Sequence, residues 1–190
     1  IDALFLPAFK LDAVLSRLTD FPWALTKSQN DYYPADFPKS YPFSKDLDLL
    51  CRREDAPAIL AAIEDELGRE LPERCTVRSI AEDGGTRIRV EQQDFLIFQF
   101  DVRFAEDGLT EEYIRSCIER RESCKGYARL ADADEVYFRL LECCKSPSKQ
   151  RHFDYVRAHR ALLDPEKAKQ LITHERLSAA LTEIDEAAHA

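Results

Sequence analysis

Methionine is absent at every one of the 190 positions, the first included, as expected of a processed fragment or of a sequence from which modified residues are missing. Also absent is any run near the roughly twenty apolar residues that a membrane-spanning helix requires. Residues Ile1 to Val14 contain Asp2, Lys10 and Asp12, so this stretch lacks a secretory-signal layout. Positive charge is in deficit: 27 Lys and Arg stand against 36 Asp and Glu, a formal net charge of −9. Non-specific binding to DNA or RNA runs on phosphate neutralisation, so this balance argues against a general grip on nucleic acid, though not against a local basic pocket. Six cysteines in a chain of this length do not make a disulfide scaffold. The expectation is a reduced, cytoplasmic protein with no membrane partner.

Two kinds of catalytic or metal centre are missing as well. No Ser-His-Asp or Cys-His arrangement suggests a hydrolase. Cys143 and Cys144 are adjacent and cannot both turn readily to one ion from a helix, while His152 and His159 are too far apart for close i, i+4 pairing. No tetrahedral zinc set emerges, and Cys117 and Cys124 are expected to pack against the sheet or a neighbouring helix.

The residues present divide into a sheet-forming part and a helical part. Leu11, Val14, Leu15 and Leu18 give helical spacing over 6–18, and residues 23–27 read as a short strand. A long loop, Ser28 to Ser44, holds Pro34, Pro38 and Pro42 among five aromatics, for which core packing is the favoured use. Strands are expected from Lys45 to near Arg52, over 75–81 and 86–91 as a hairpin across Asp83-Gly84-Gly85, and over 95–104. An amphipathic helix over 54–71 carries Ile59, Leu60, Ile63 and Leu67 on its apolar face. From Thr110 onward the pattern reads as helical throughout. The expected organisation is an α+β domain over 1–105 followed by a helical module over 106–190.

Three carboxylates stand out. Asp46 and Asp48 lie two apart in an otherwise apolar strand, so both project from one face while Leu47 and Leu49 project from the other. Carboxylates that close repel one another, a cost relieved by a cation between them. Mg²⁺ fits, because it takes hard oxygen ligands and is usually held by one or two carboxylates plus substrate phosphates. A third acid, Asp101, interrupts the strand-like run Phe98-Gln99-Phe100-Asp101-Val102, where aspartate is normally disfavoured.

The order helix, strand, Ser-containing loop, Asp-x-Asp strand, helix, hairpin and third-Asp strand resembles the nucleotidyltransferase superfamily, whose fold is shared with DNA polymerase β. The resemblance covers about 5–105 and implies a mixed sheet flanked by helices. It implies that Asp46, Asp48 and Asp101 hold two Mg²⁺ ions and act in catalysis. Ser28 occupies the position of the serine in the family's Gly-Ser pair, and Lys27 stands where its glycine would be; the chain has no glycine before Gly68. Lys27 and Ser28 are therefore expected to steady the phosphates of a nucleoside triphosphate. The implied reaction moves a nucleoside monophosphate from that donor to a small-molecule, possibly sugar-type, acceptor. Two alternatives stay open: a non-catalytic binding or regulatory module on the same fold, and a plain α+β interaction domain.

One further cluster, Lys145, Lys149, Arg151 and His152, surrounds Ser146-Pro147-Ser148. Ser148 is expected to cap a helix beginning near Lys149, and the cluster reads as an interhelical turn with solvated charges, or else a place for a phosphate.

Overall fold

Strand β2, Lys45–Cys51, shows how one short sequence serves two sides of the protein. Its alternation sends Leu47 and Leu49 into a fully buried core, while Asp46, Asp48 and Leu50 take the opposite face. In this computed structural model, which describes residues 8–28 and 33–186, β2 sits at the middle of a seven-stranded mixed sheet. Its neighbours are β1 (Trp23–Leu25), antiparallel, and β5 (Phe95–Arg103), parallel. Beyond β5 lie β4 (Gly85–Gln92) and then β3 (Cys75–Glu82), both antiparallel to their neighbours. Beyond β1 lie β7 (Tyr127–Arg129), parallel, and β6 (Glu122–Cys124).

The β3–β4 turn is tighter than the sequence suggests. Gly85 already belongs to β4, leaving Asp83 and Gly84 as the turn. Gly84 has φ +82°, and a side chain there would meet the carbonyl of Ala105, so glycine is required on both counts.

Helices cover both faces. α1 (Leu11–Ser16) and α2 (Ala56–Glu70) pack on one side, where Leu11, Val14 and Leu15 of α1 and Ile59, Ile63 and Leu67 of α2 share a core with Leu47, Leu49 and Phe100. The expected first helix begins at residue 6, and residues 6–7 lie outside the described ones. On the other side, α3 (Glu111–Glu119), α4 (Asp132–Lys145), α5 (Gln150–Ala158), α6 (Pro165–Leu171) and α7 (Leu177–Glu186) build a second core that reaches the sheet through Ala24 and Leu50. Local chemistry fixes several of these ends. Thr110 caps α3 by accepting from the Tyr113 amide, and Asp164 caps α6 ahead of Pro165.

The α+β class expected from the sequence is what is seen. Two local expectations are corrected. The part after Thr110, expected to be helical throughout, is interrupted at 122–129, between two expected helices, by the β6–β7 hairpin, which joins the sheet where Arg129 pairs with Leu25. Ser148 does not cap α5; Lys149 holds that position with no side-chain hydrogen bond.

Tyr33, Phe37 and Tyr41 of the aromatic loop pack against the core, whereas Phe43 is exposed. Phe37 is buried against Tyr127, Tyr41 stacks on Phe9 and meets Phe98 edge-on, and the Tyr33 hydroxyl donates to the Asp46 carbonyl at 3.0 Å. Asp31 and Tyr32, which the sequence places in the same loop, lie outside the described residues.

Candidate functional site: three acids and a lysine

Parallel pairing of β2 with β5 sets Asp46 opposite Gln99 and Asp48 opposite Asp101. The register therefore brings together the three acids singled out in the sequence. One oxygen from each carboxylate lies within 4.8 Å of the others. Three acids this close repel strongly unless something positive joins them.

Two cations already lean on the cluster from opposite sides. Lys27 Nζ pairs with Asp48 Oδ2 at 2.9 Å and lies 3.9 Å from Glu142. On the β4 side, Arg87 Nε donates to Asp101 Oδ1 at 3.1 Å, and the Gln99 amide donates to the same oxygen at 3.0 Å. The Asp46 carboxylate has no hydrogen-bond partner among the described residues.

Burial raises the Asp48 pKa, the Lys27 charge pulls it back, and Asp46 and Asp101 add to the rise, leaving it at about 6. Asp101 is also raised, by burial first, against the lowering effect of Arg87. Burial acts to lower Lys27, but the charges of Asp48 and Glu142 outweigh it and hold the ammonium protonated. At neutral pH the Lys27–Asp48 contact is thus a true ion pair. Both side chains keep some access to water, at 21% and 17% of full exposure.

Lys27 is shaped by its backbone as much as by its charge. It follows directly on Thr26, whose amide donates to the Asp48 carbonyl, and it has φ +55°. That is the left-handed region in which glycine is at ease and other residues are strained by about 1–2 kcal/mol. Lys27 therefore holds a glycine-like backbone conformation with a lysine side chain on it. The Lys27 amide donates to Glu135 Oε1 at 2.7 Å, which holds the turn in place. Ser28 follows in irregular chain, half-buried, with no side-chain hydrogen bond among the described residues.

Glu135 begins a second charged cluster that sequence reasoning missed. It sits on α4 with Arg139 and Glu142, at i, i+4 and i+7, on one helix face. Arg139 Nε pairs with Glu135 Oε1 at 2.8 Å, and both side chains are almost fully enclosed. The Arg139 guanidinium also lies 4.8 Å from the centre of the Tyr155 ring and 3.3 Å from His152 Nδ1. His152 is buried, and that burial together with Arg139, Arg151, Lys27 and Lys149 lowers its pKa to about 3. It is therefore neutral at pH 7, and its 3.8 Å approach to Glu142 is not an ion pair there. The i, i+4, i+7 spacing of Glu135, Arg139 and Glu142 was the available sequence signal.

Between the clusters lies a small cavity of about 10 Å³, lined by Thr26, Lys27, Asp48, Arg103, Glu106 and Glu142 among others. That is room for about one water molecule. The donor set itself, three carboxylates from two paired strands, suits a hard divalent cation.

No protein-family model matches the chain, and no curated protein matches it. Among solved structures it is similar to a "putative nucleotidyltransferase" from H. pylori, with TM-score 0.48 and 13% identity over 92% of this chain and 72% of that one. It is similar to the antibiotic-resistance factor ANT(2'')-Ia at TM-score 0.45 and 15% identity, over 93% of this chain and 91% of that one. A Megavirus polyadenylate synthase is more distant, at TM-score 0.34 and 8% identity over 77% of this chain and 32% of that one.

Proposed function

We propose that this chain is a divalent-metal-dependent nucleotidyltransferase that moves a nucleoside monophosphate from a nucleoside triphosphate to the hydroxyl of a small-molecule acceptor. The observation that carries the reading is the convergence of Asp46, Asp48 and Asp101 from two paired strands, with Lys27 bound to one of them. The three carboxylates would hold Mg²⁺, in a two-ion site. When bound, the metal would supply positive charge to the phosphates and raise the acidity of the attacking hydroxyl.

The chain's own groups divide the remaining work. Lys27 and Ser28, on the β1 side of the acids, would receive the donor's phosphates, with the ammonium turning from Asp48 toward them. Asp101, on the β5 side, would accept the acceptor's proton as its oxygen bonds to the α-phosphorus. The bond from that phosphorus to the β-bridging oxygen breaks, and pyrophosphate leaves. Proton, phosphoryl centre and leaving group are then all accounted for.

The Lys27–Asp48 ion pair favours a second reading, nucleotide binding without transfer, because a cation already neutralises part of the acid site. Pyrophosphate release separates the two. The full chain is incubated with Mg²⁺, each of the four nucleoside triphosphates and a panel of small alcohols. Transfer predicts acceptor-dependent pyrophosphate that disappears in Asp46→Asn. Saturable nucleotide binding with no pyrophosphate under any condition would select the binding module instead.

A further inference from the structure

The acids share their sheet face with a row of arginines for which the reaction above has no use. Cross-strand register sets Arg87 opposite Asp101, Arg89 opposite Gln99, and Arg78 opposite Arg89. Residues directly opposite one another project to the same side, so the row continues the acid face outward across β4 to β3. Neighbouring Ser79 confirms the sense of β3: it points to the other face, where its hydroxyl bonds Glu64 of α2.

The three arginines are not alike. Arg87 is occupied by Asp101 and by Glu82 at 3.0 Å. Arg89 has one acid, Glu91, at 3.0 Å. Arg78 is exposed and has no ion pair or hydrogen bond among the described residues. Like charges placed directly opposite in a sheet destabilise it. In a chain with nine more acids than bases, Arg78 facing Arg89 without an acid of its own is a cost that folding does not explain. An anion seated between the two guanidiniums would remove it, and phosphate suits best because arginine can grip it through two parallel hydrogen bonds.

Position says whose anion it is. The sheet order β3-β4-β5-β2-β1 puts Lys27 on one side of the acids and the arginines on the other. Donor phosphates at Lys27 leave the β5–β4–β3 side to the acceptor. Strands lie about 4.8 Å apart, so β4 and β3 stand roughly 5 and 10 Å outward from β5. That spans a small polyol between its reacting hydroxyl and a terminal phosphate.

We infer that Arg78 and Arg89 form an anion subsite for the acceptor, which is a small alcohol bearing a phosphate group. The inference names the acceptor class of the proposed transfer and rests on that reading for the acceptor's role, though the subsite can be measured by itself. The test is calorimetric titration of the full chain with glycerol 3-phosphate and with glycerol, in metal-free buffer. It is repeated on Arg78→Gln/Arg89→Gln, whose exposed and half-exposed positions leave the core untouched. Nucleoside triphosphate with Mg²⁺ is titrated separately into both proteins.

The expected result is saturable binding of glycerol 3-phosphate, at least about tenfold tighter than glycerol, with that preference lost in the double variant. Triphosphate affinity should be the same in both proteins. Equal affinity for glycerol and its phosphate, or an unchanged preference in the double variant, overturns the subsite. If triphosphate still binds with Mg²⁺ in that case, the transferase reading survives alone. Phosphate binding that depends on the two arginines, without Mg²⁺-dependent triphosphate binding, keeps the subsite and removes the transferase reading.

Discussion

Lys27 stands between two groups of charges that the fold treats in opposite ways. On its sheet side, Asp46, Asp48 and Asp101 are like charges brought together and left partly open to water. On its helix side, Glu135 and Arg139 are unlike charges paired at 2.8 Å and sealed from solvent. A sealed, matched pair can serve structure alone, since each charge satisfies the other. A half-open group of repelling acids gains nothing structurally from its arrangement and makes sense when a cation completes it. Lys27 belongs to both: its amide is tied to the sealed pair and its ammonium to the open acids. The helical side thus sets the backbone turn from which the lysine reaches the site.

The comparison breaks most visibly at Arg139. Arg139→Met leaves Glu135 buried without its cation and should cost about 3–5 kcal/mol. At roughly 2–4 °C per kcal/mol for a chain of this size, the melting temperature should fall by about 6–20 °C. A fall of only a degree or two would show that the sealed pair contributes nothing to the fold.

Substitutions at Lys27 separate backbone from charge. Lys27→Gly and Lys27→Ala both release Asp48 from its ion pair, but only glycine relieves the left-handed strain. The glycine variant should be more stable than the alanine variant by about 1 kcal/mol in chemical denaturation. Equal stabilities would mean that the turn carries no strain.

Acid titration sharpens the open side. Asp48 has a folded-state pKa of about 6, above the ordinary 3.8, so the folded form binds this proton more tightly than the unfolded chain does. Its contribution to stability therefore declines as pH rises between about 4 and about 6, and is level above that. Metal affinity should run the other way and grow as pH rises through about 6, because the ligand is the carboxylate. Asp48→Asn should weaken both trends without abolishing them, because burial raises Asp101 as well and its share remains. Parallel pH trends for stability and metal affinity would contradict this account.

Ser28 carries the smallest expected effect. Ser28→Ala removes one proposed phosphate contact and should weaken triphosphate binding about two- to tenfold, with no change in melting temperature.

The site was more legible in the sequence than its support. A period of two is a short-range signal, so Asp46 and Asp48 could be placed on one strand face, and Asp101 stood out because aspartate is unusual within a strand. What joined them was the parallel β2–β5 register, which depends on packing of distant segments. The β6–β7 hairpin was missed for the same reason. Its strands are three residues each and rich in polar groups, such as Glu122, Ser123 and Arg129, and β7 is completed by pairing with β1. The left-handed turn at Lys27 was not legible because its residue type argues against it; the long-range hydrogen bond that its amide donates to Glu135 helps to hold it. In the Pro-aromatic loop, for which core packing is the favoured reading, Phe37 is buried and Tyr33 and Tyr41 are half-buried against the core, whereas Phe43 is exposed.

The most direct test of the central claim, that the open acids are a metal–nucleotide site, is a thermal-shift titration with ATP, CTP, GTP and UTP, each with and without Mg²⁺. A ligand that binds only the folded state raises the melting temperature according to its affinity. The account predicts a rise with at least one nucleotide that requires Mg²⁺ and vanishes in Asp48→Asn. A rise that persists in Asp48→Asn, or that needs no metal, would contradict it.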